Sequence, residues 1–269
     1  MIKARLTTVL EKRHSGDQSG FYWIAAVVFA GSVVGTAYLS RSMRGGMNMP
    51  GRWTMSMVWM QMAGRSWLSS MAMFLLMWLT MMVAMMFPSV VTTLGRYCAA
   101  RRSPRPGAIG ATTLAAASYT FVWLFIGIAL YAAGVALATA AMKYATVSRI
   151  MPILGAGLLV ASGGMQFTSI KWRALRRCRN PSPCVVPPVS GGYRAAWQFG
   201  LRLGVSCAVS SAGLMSIMLV LGMMNLGLMA IVAVVIALEK LMPNPEWIVW
   251  GAGGTLIGVG AFMLMQSLA

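Results

Sequence analysis

The sequence predicts an all-α fold, a polytopic transmembrane helical bundle of about seven spans with a cytoplasmic N-terminus. Three observations predict it. Hydrophobic residues make up 58% of the 269 positions and charged residues only 10%, with a mean hydropathy of +0.73, far from the composition of a soluble domain. Apolar runs of about 20 residues, the length that crosses a bilayer at 1.5 Å rise per residue, recur along the chain. The basic residues collect in alternate connections between those runs.

Residues 1–20, MIKARLTTVLEKRHSGDQSG, lack the long apolar core and small-residue cleavage site of a signal peptide and read as a cytoplasmic tail. Residues 21–269 then form a single transmembrane domain, with spans expected at about 21–39, 67–91, 109–138, 150–170, 199–221, 225–240 and 247–267. Asn225 and Gly227 supply a turn before the sixth, and Pro243 and Pro245 break the chain before the seventh. The sixth run is short, so six spans is the alternative count. In the last, GAGGTLIGVG offers Gly251, Gly254 and Gly258 as a small-residue face for close helix contact.

Loop charges set the orientation. With the N-terminus inside, cytoplasmic segments hold 16 Lys and Arg and outer segments six, which the positive-inside rule favours. The largest cytoplasmic loop, 171–198, combines basic residues with Pro181, Pro183, Pro187 and Pro188, and is expected to be irregular rather than helical. Its charge suits anionic headgroups, as does the net charge of +18 overall, so the partner implied is the lipid bilayer and not nucleic acid.

The chain has one His and four acids: Glu11, Asp17, Glu239 and Glu246. Paired-carboxylate hydrolysis, a His-based triad and a His/carboxylate metal centre lack their raw materials, and no enzyme activity is expected. The four cysteines form no CxxC pair.

Methionine is the anomaly. Fourteen of the 26 lie between Met43 and Met86. Seven fall in a periplasmic loop, residues 40–66, where Met55, Met57, Met60 and Met62 are interleaved with Trp53 and Trp59. The rest lie in the second span, MAMFLLMWLTMMVAMMFPS, where Met73, Met77, Met81 and Met85 repeat every four residues beside Met82 and Met86. That spacing stacks thioethers along one side of a helix. Such a stripe also serves helix packing, since methionine fills irregular gaps. Packing does not explain the methionines of an outer loop punctuated by Gly45, Gly46, Pro50, Gly51 and Gly64. Neutral, soft thioethers suit Cu(I), and nearby Trp rings add a cation–π face for a monovalent ion.

The run MWLTMMVAMMFPS, residues 77–89, resembles the M-W-x-x-M-x-x-A-M-M-x-P-S signature of a bacterial family of predicted metal-binding integral membrane proteins. The similarity continues through QFTSIKWRALRRC, LRLGVSC, AGLM and LEKLMP, from about residue 45 onward. It implies a multi-pass protein of the bacterial inner membrane. Members carry a cysteine cluster after LRLG, where this chain reads SCAVSSAG and keeps Cys207; the resemblance makes a thioether-dominated site the expectation.

The expected metal ligands are therefore Met55, Met57, Met60, Met62, Met73, Met77, Met81, Met82, Met85, Met86 and Cys207, the ion Cu(I), and the function its binding or relay. The alternative is a non-catalytic subunit of a larger membrane complex, such as one containing a copper or haem enzyme, with the Met face as its docking surface. A copper chaperone is a further partner, and Cys178 and Cys184 in the cytoplasmic loop could hand it metal. Glu239, an acid at membrane depth, needs a partner, and Lys240 and Arg202 lie near the same membrane face.

Overall fold

The computed structural model describes residues 23, 26–41, 46–49, 53–56, 66–100, 108–179, 192–223 and 225–268. Among these the chain is helical apart from one small hairpin: α1 Ala26–Arg41, β1 Gly46–Met49, β2 Trp53–Ser56, α2 Trp67–Ala100, α3 Ala108–Lys143, α4 Ala145–Gln166, α5 Ser169–Arg179, α6 Gly192–Leu221, α7 Leu226–Leu241 and α8 Glu246–Leu268. Seven apolar helices stand where spans were expected. Five of them, α2, α3, α4, α6 and α8, are long and apolar enough to cross a membrane. The described part of α1 and all of α7 have 16 residues each, about 24 Å of helix. Outward faces remain apolar, with Phe125 on α3, Ile231 and Val234 on α7, and Trp247 and Phe262 on α8 exposed, as a lipid-facing surface requires.

The connections differ from expectation in three places. The outer connection expected over 139–149 is almost entirely helix: α3 runs on through the Ala-rich stretch to Lys143, and only Tyr144, with φ −124 and ψ 110, separates it from α4. The loop 171–198 begins as α5. Its prolines all follow residue 180, so nothing breaks the helix earlier. Lys171, Ala174, Leu175 and Cys178 recur at i, i+3, i+4 and i+7 and form its buried face, while Arg173, Arg176 and Arg177 point out. Residues 192–198 of that loop open α6, and 180–191, with Cys184, lie outside the described residues, as does the tail 1–20.

The third difference is the methionine loop, which contains an antiparallel hairpin pairing Met47 with Met55 and Met49 with Trp53. Trp53 Nε1 donates to the Ser148 carbonyl at 2.9 Å. That bond holds the hairpin at the α3–α4 corner, the end of the bundle where α2 begins.

Glycines set the closest helix contacts, though not the ones expected. Gly251, Gly254 and Gly258 face open space. Instead α8 meets α4 through residues one heptad apart: a Cβ on Gly260 would stand 2.9 Å from the Ala156 carbonyl oxygen, and one on Gly163 of α4 would stand 2.8 Å from the Gly253 carbonyl oxygen. The small-residue spacing was read on the wrong face of α8 because glycine recurs on both. Replacing Gly163 with leucine is therefore expected to lower stability by about 3 kcal/mol, whereas Gly258→Leu leaves it within about 0.5 kcal/mol. Thermal unfolding in detergent compares them, and equal midpoints would refute the assignment of faces.

Helix ends on the α7 side are well tied. Gly222, at φ +107, terminates α6 in a conformation that favours glycine. Asn225 Oδ1 accepts from the Leu228 amide at 3.1 Å and caps α7. At the other end of α7, Arg179 of α5 donates to the carbonyls of Met242 and Pro243, placing a cation at the negative end of the helix.

Candidate functional site

The methionine stripe of α2 faces the protein interior. Met77, Met81, Met82, Met85 and Met86 are at most 3% exposed, while Met73, nearer the hairpin end, is half-buried. Opposite them α3 presents Tyr119, Trp123 and Tyr131, all buried. Trp78 of α2 joins the two helices: its Nε1 donates to the Trp123 carbonyl at 2.9 Å, and its indole lies where a side chain on Gly127 would otherwise stand. Phe74 stacks on Trp78 at 6.2 Å and meets Tyr131 at 5.1 Å between centroids. The thioethers thus share one core with an aromatic row, a surrounding that stabilises sulfur by about 0.3–1.5 kcal/mol per contact.

The stripe ends in a cluster of sulfur and charge. Met86 Sδ is 3.7 Å from Cys207 Sγ on α6. Cys207 Sγ also lies 3.2 Å from the Tyr119 hydroxyl. Lys240 of α7 donates to both sulfurs, at 2.8 Å to Cys207 and 3.3 Å to Met86. Cys178 of α5 completes the cluster. Its thiol is held well above the ordinary range, first by its hydrogen bond with Cys207 and then by burial. The hydroxyls of Ser210 and Ser211 turn back to the Cys207 carbonyl, at 2.9 and 2.8 Å, so the serines of SCAVSSAG orient the helix and leave the sulfur to its other neighbours.

Beside the cluster, Glu239 Oε2 pairs with Lys171 Nζ at 2.7 Å, the two side chains 1% and 0% exposed. The partner of Glu239 is thus a lysine of α5; Lys240 turns to sulfur instead. Burial pulls the Lys171 ammonium below its usual value, against the opposing pull of the carboxylate. Lys171 also donates to the Ser210 carbonyl, so one ammonium ties α5 to α6 and α7.

Among the described residues no group of three or more His, Cys, Asp or Glu is placed to hold a metal; the donors gathered here are two thiols and a row of thioethers, a soft set. Of the expected outer ligands, Met55 sits on β2 opposite Met47, and Met57, Met60 and Met62 lie outside the described residues.

Residues 75–263 match the family model described as PpoB2, copper chaperone. The chain belongs to that family. No curated protein and no solved structure matches it. The span of the PpoB2 match takes in Met77–Met86, Cys178, Cys207 and Lys240, and it leaves out the hairpin and Met73. Copper is therefore the ion against which the sulfur donors are to be read, and the chaperone family's segment contains the whole sulfur and charge cluster.

The sequence pointed to Cys207, Cys178 and the α2 stripe, but not to the aromatic row of α3, to Lys171, or to Lys240 as a neighbour of sulfur. Tyr119, Trp123, Gly127 and Tyr131 repeat every four residues on α3, a periodic signal that was available. Lys171 and Cys178 were assigned to a loop, although the α5 pattern was legible once the prolines were seen to start later. Lys240 had no local signal pointing to sulfur.

Proposed function

We propose that this protein handles Cu(I) in the bacterial inner membrane without catalysing a reaction: the ion is taken up on the Met/Trp hairpin outside, passed along Met73, Met77, Met81, Met82, Met85 and Met86, and delivered beside Cys207 near the cytoplasmic end. A seven-span, N-in reading of the loop charges supports that direction. The observation that carries the reading is the buried thioether row ending 3.7 Å from a cysteine, inside the segment that matches a copper chaperone family. Neutral thioethers bind Cu(I) without needing deprotonation, and successive sites of similar softness let an ion step onward. The aromatic row of α3 would line the same route, where ring faces favour a desolvated monovalent cation. Since the chain lacks a phosphate-binding loop motif, movement follows the gradient or the affinity of the acceptor.

The test is copper content. Leucine is close in volume to methionine, so changing the six row methionines to leucine is expected to keep the fold while copper retained after Cu(I) loading falls by about 10-fold or more. Equal retention in both proteins would end the proposal.

A further inference from the structure

Three buried ionisable side chains meet where the thioether row ends: Lys171, Glu239 and Lys240. Lys171 and Glu239 neutralise each other. Lys240 is left with a positive charge, 7% exposed, and its ammonium points at sulfur. An unpaired buried charge costs several kcal/mol, and the acceptors that meet this one are the sulfurs of Cys207 and Met86. The second contact is unusual, because a thioether is a weak acceptor for an ammonium. An ammonium is thus lodged between a cysteine sulfur and a thioether, with the Cys178 thiol against the same cysteine and 3.8 Å from the Ser210 hydroxyl.

The spacing suits a metal as well. A soft ion bound at about 2.3 Å to three sulfurs in a plane sets them about 4.0 Å apart, and Cys207 Sγ and Met86 Sδ are already 3.7 Å apart. We infer that Cys207, Cys178 and Met86 are the ligands of the terminal Cu(I) site, and that the Lys240 ammonium holds this site between ions and yields it to each arriving Cu(I). The inference rests on the copper reading above and assigns its last station. On loading, bonds form from copper to the Cys207 thiolate, the Met86 thioether and Cys178, whose proton passes to the buffer. The hydrogen bonds from Lys240 to the two sulfurs break. No electron is transferred. The bound ion and two thiolates carry one negative charge, which Lys240, still protonated, balances from beside the site. On release Cys178 takes a proton back from the buffer and the ammonium returns to the sulfurs, so departing copper is replaced and the Cys207 thiolate is never left bare.

The experiment uses full-length protein in detergent, loaded with Cu(I) from a chromophoric chelator of known affinity, then challenged with excess chelator to time release. Cys207→Ser and Cys178→Ser are each expected to weaken binding by about 100-fold and to diminish the ultraviolet thiolate-to-copper absorption. Lys240→Met, in which Cys178 keeps its proton so that Cu(I) and one thiolate form a neutral site, is expected to retain copper but to slow its release by about 10-fold, because no cation returns to displace it. Lys240→Arg, whose bulkier fork cannot vacate the space, is expected to bind more weakly while unfolding near the wild-type temperature. An unchanged affinity and spectrum in Cys178→Ser would overturn the ligand set. Wild-type release from Lys240→Met, or wild-type affinity in Lys240→Arg if the methionine variant does not fold, would overturn the exchange. Failure of the copper reading itself looks different: wild-type protein would take up no Cu(I), whereas failure here leaves a wild-type protein that loads copper and cysteine variants that match it.

Discussion

Glu239→Ala is expected to destabilise the protein by about 3–5 kcal/mol, the range for removing one partner of a buried ion pair. The loss is this large because Lys171 is fully enclosed and would be left with the Ser210 carbonyl and no counter-charge, so that it must either hold an unpaired charge or give up its proton. Glu239→Gln, which keeps the shape but not the charge, is expected to fall between. Replacing both partners together, Lys171→Met with Glu239→Leu, is expected to restore most of the stability, since an apolar pair of similar volume needs no desolvation. Thermal unfolding of the purified protein measures all four. A single variant as stable as wild type, or a double variant no better than the single, would show that the pair does not act as a unit.

Gly200→Ala is expected to have the second largest effect, although it adds one methyl group. A Cβ at Gly200 would collide with the Ala115 carbonyl and the Ser118 hydroxyl of α3. The obstacle is backbone on a neighbouring helix, so the helices must part, and the cost should reach the upper end of overpacking, about 3 kcal/mol. At roughly 2–4 °C per kcal/mol for a chain of this size, unfolding should begin some 6–12 °C lower. The same displacement reaches the sulfur cluster, because Tyr119 lies one turn beyond Ala115 and Cys207 two turns beyond Gly200. The 3.2 Å contact between their side chains should open, and Cu(I) affinity should fall with it. Gly157→Ala is the control: nothing lies within 4 Å of its added Cβ, and alanine there should stabilise the helix by about 0.5–1 kcal/mol. If both glycine variants behave alike, α3 and α6 do not meet through Gly200.

The two halves of the problem were legible in the sequence to different degrees. Helix positions follow from apolar length, which is a local property, and so the seven apolar helices fall close to the expected ranges. The thioether row was equally visible, because one helix carries all of it at a spacing of four. The terminal cluster was not, since Met86, Cys178, Cys207 and Lys240 come from four helices and only their packing brings them together. Charge was legible in part. Glu239 needed a partner and has one, but that partner is Lys171 of α5 and neither Lys240 nor Arg202; neighbours on a helix point about 100° apart, and Lys240 turns to Cys207. The family match sharpened the ion while leaving the site to the geometry, because it extends over the whole cluster.

The buried lysine of α5 also bears on how the bundle is assembled. Taken by itself, α7 would carry Glu239 and Lys240 in its last turn without their partners on neighbouring helices, and burying either charge in that state costs several kcal/mol. The groups that receive them, Lys171 on α5 and Cys207 on α6, are synthesised first. Stable docking of α7 therefore waits for a waiting partner: α5 and α6 must already be folded against one another, and the last two helices join a platform that their predecessors have built.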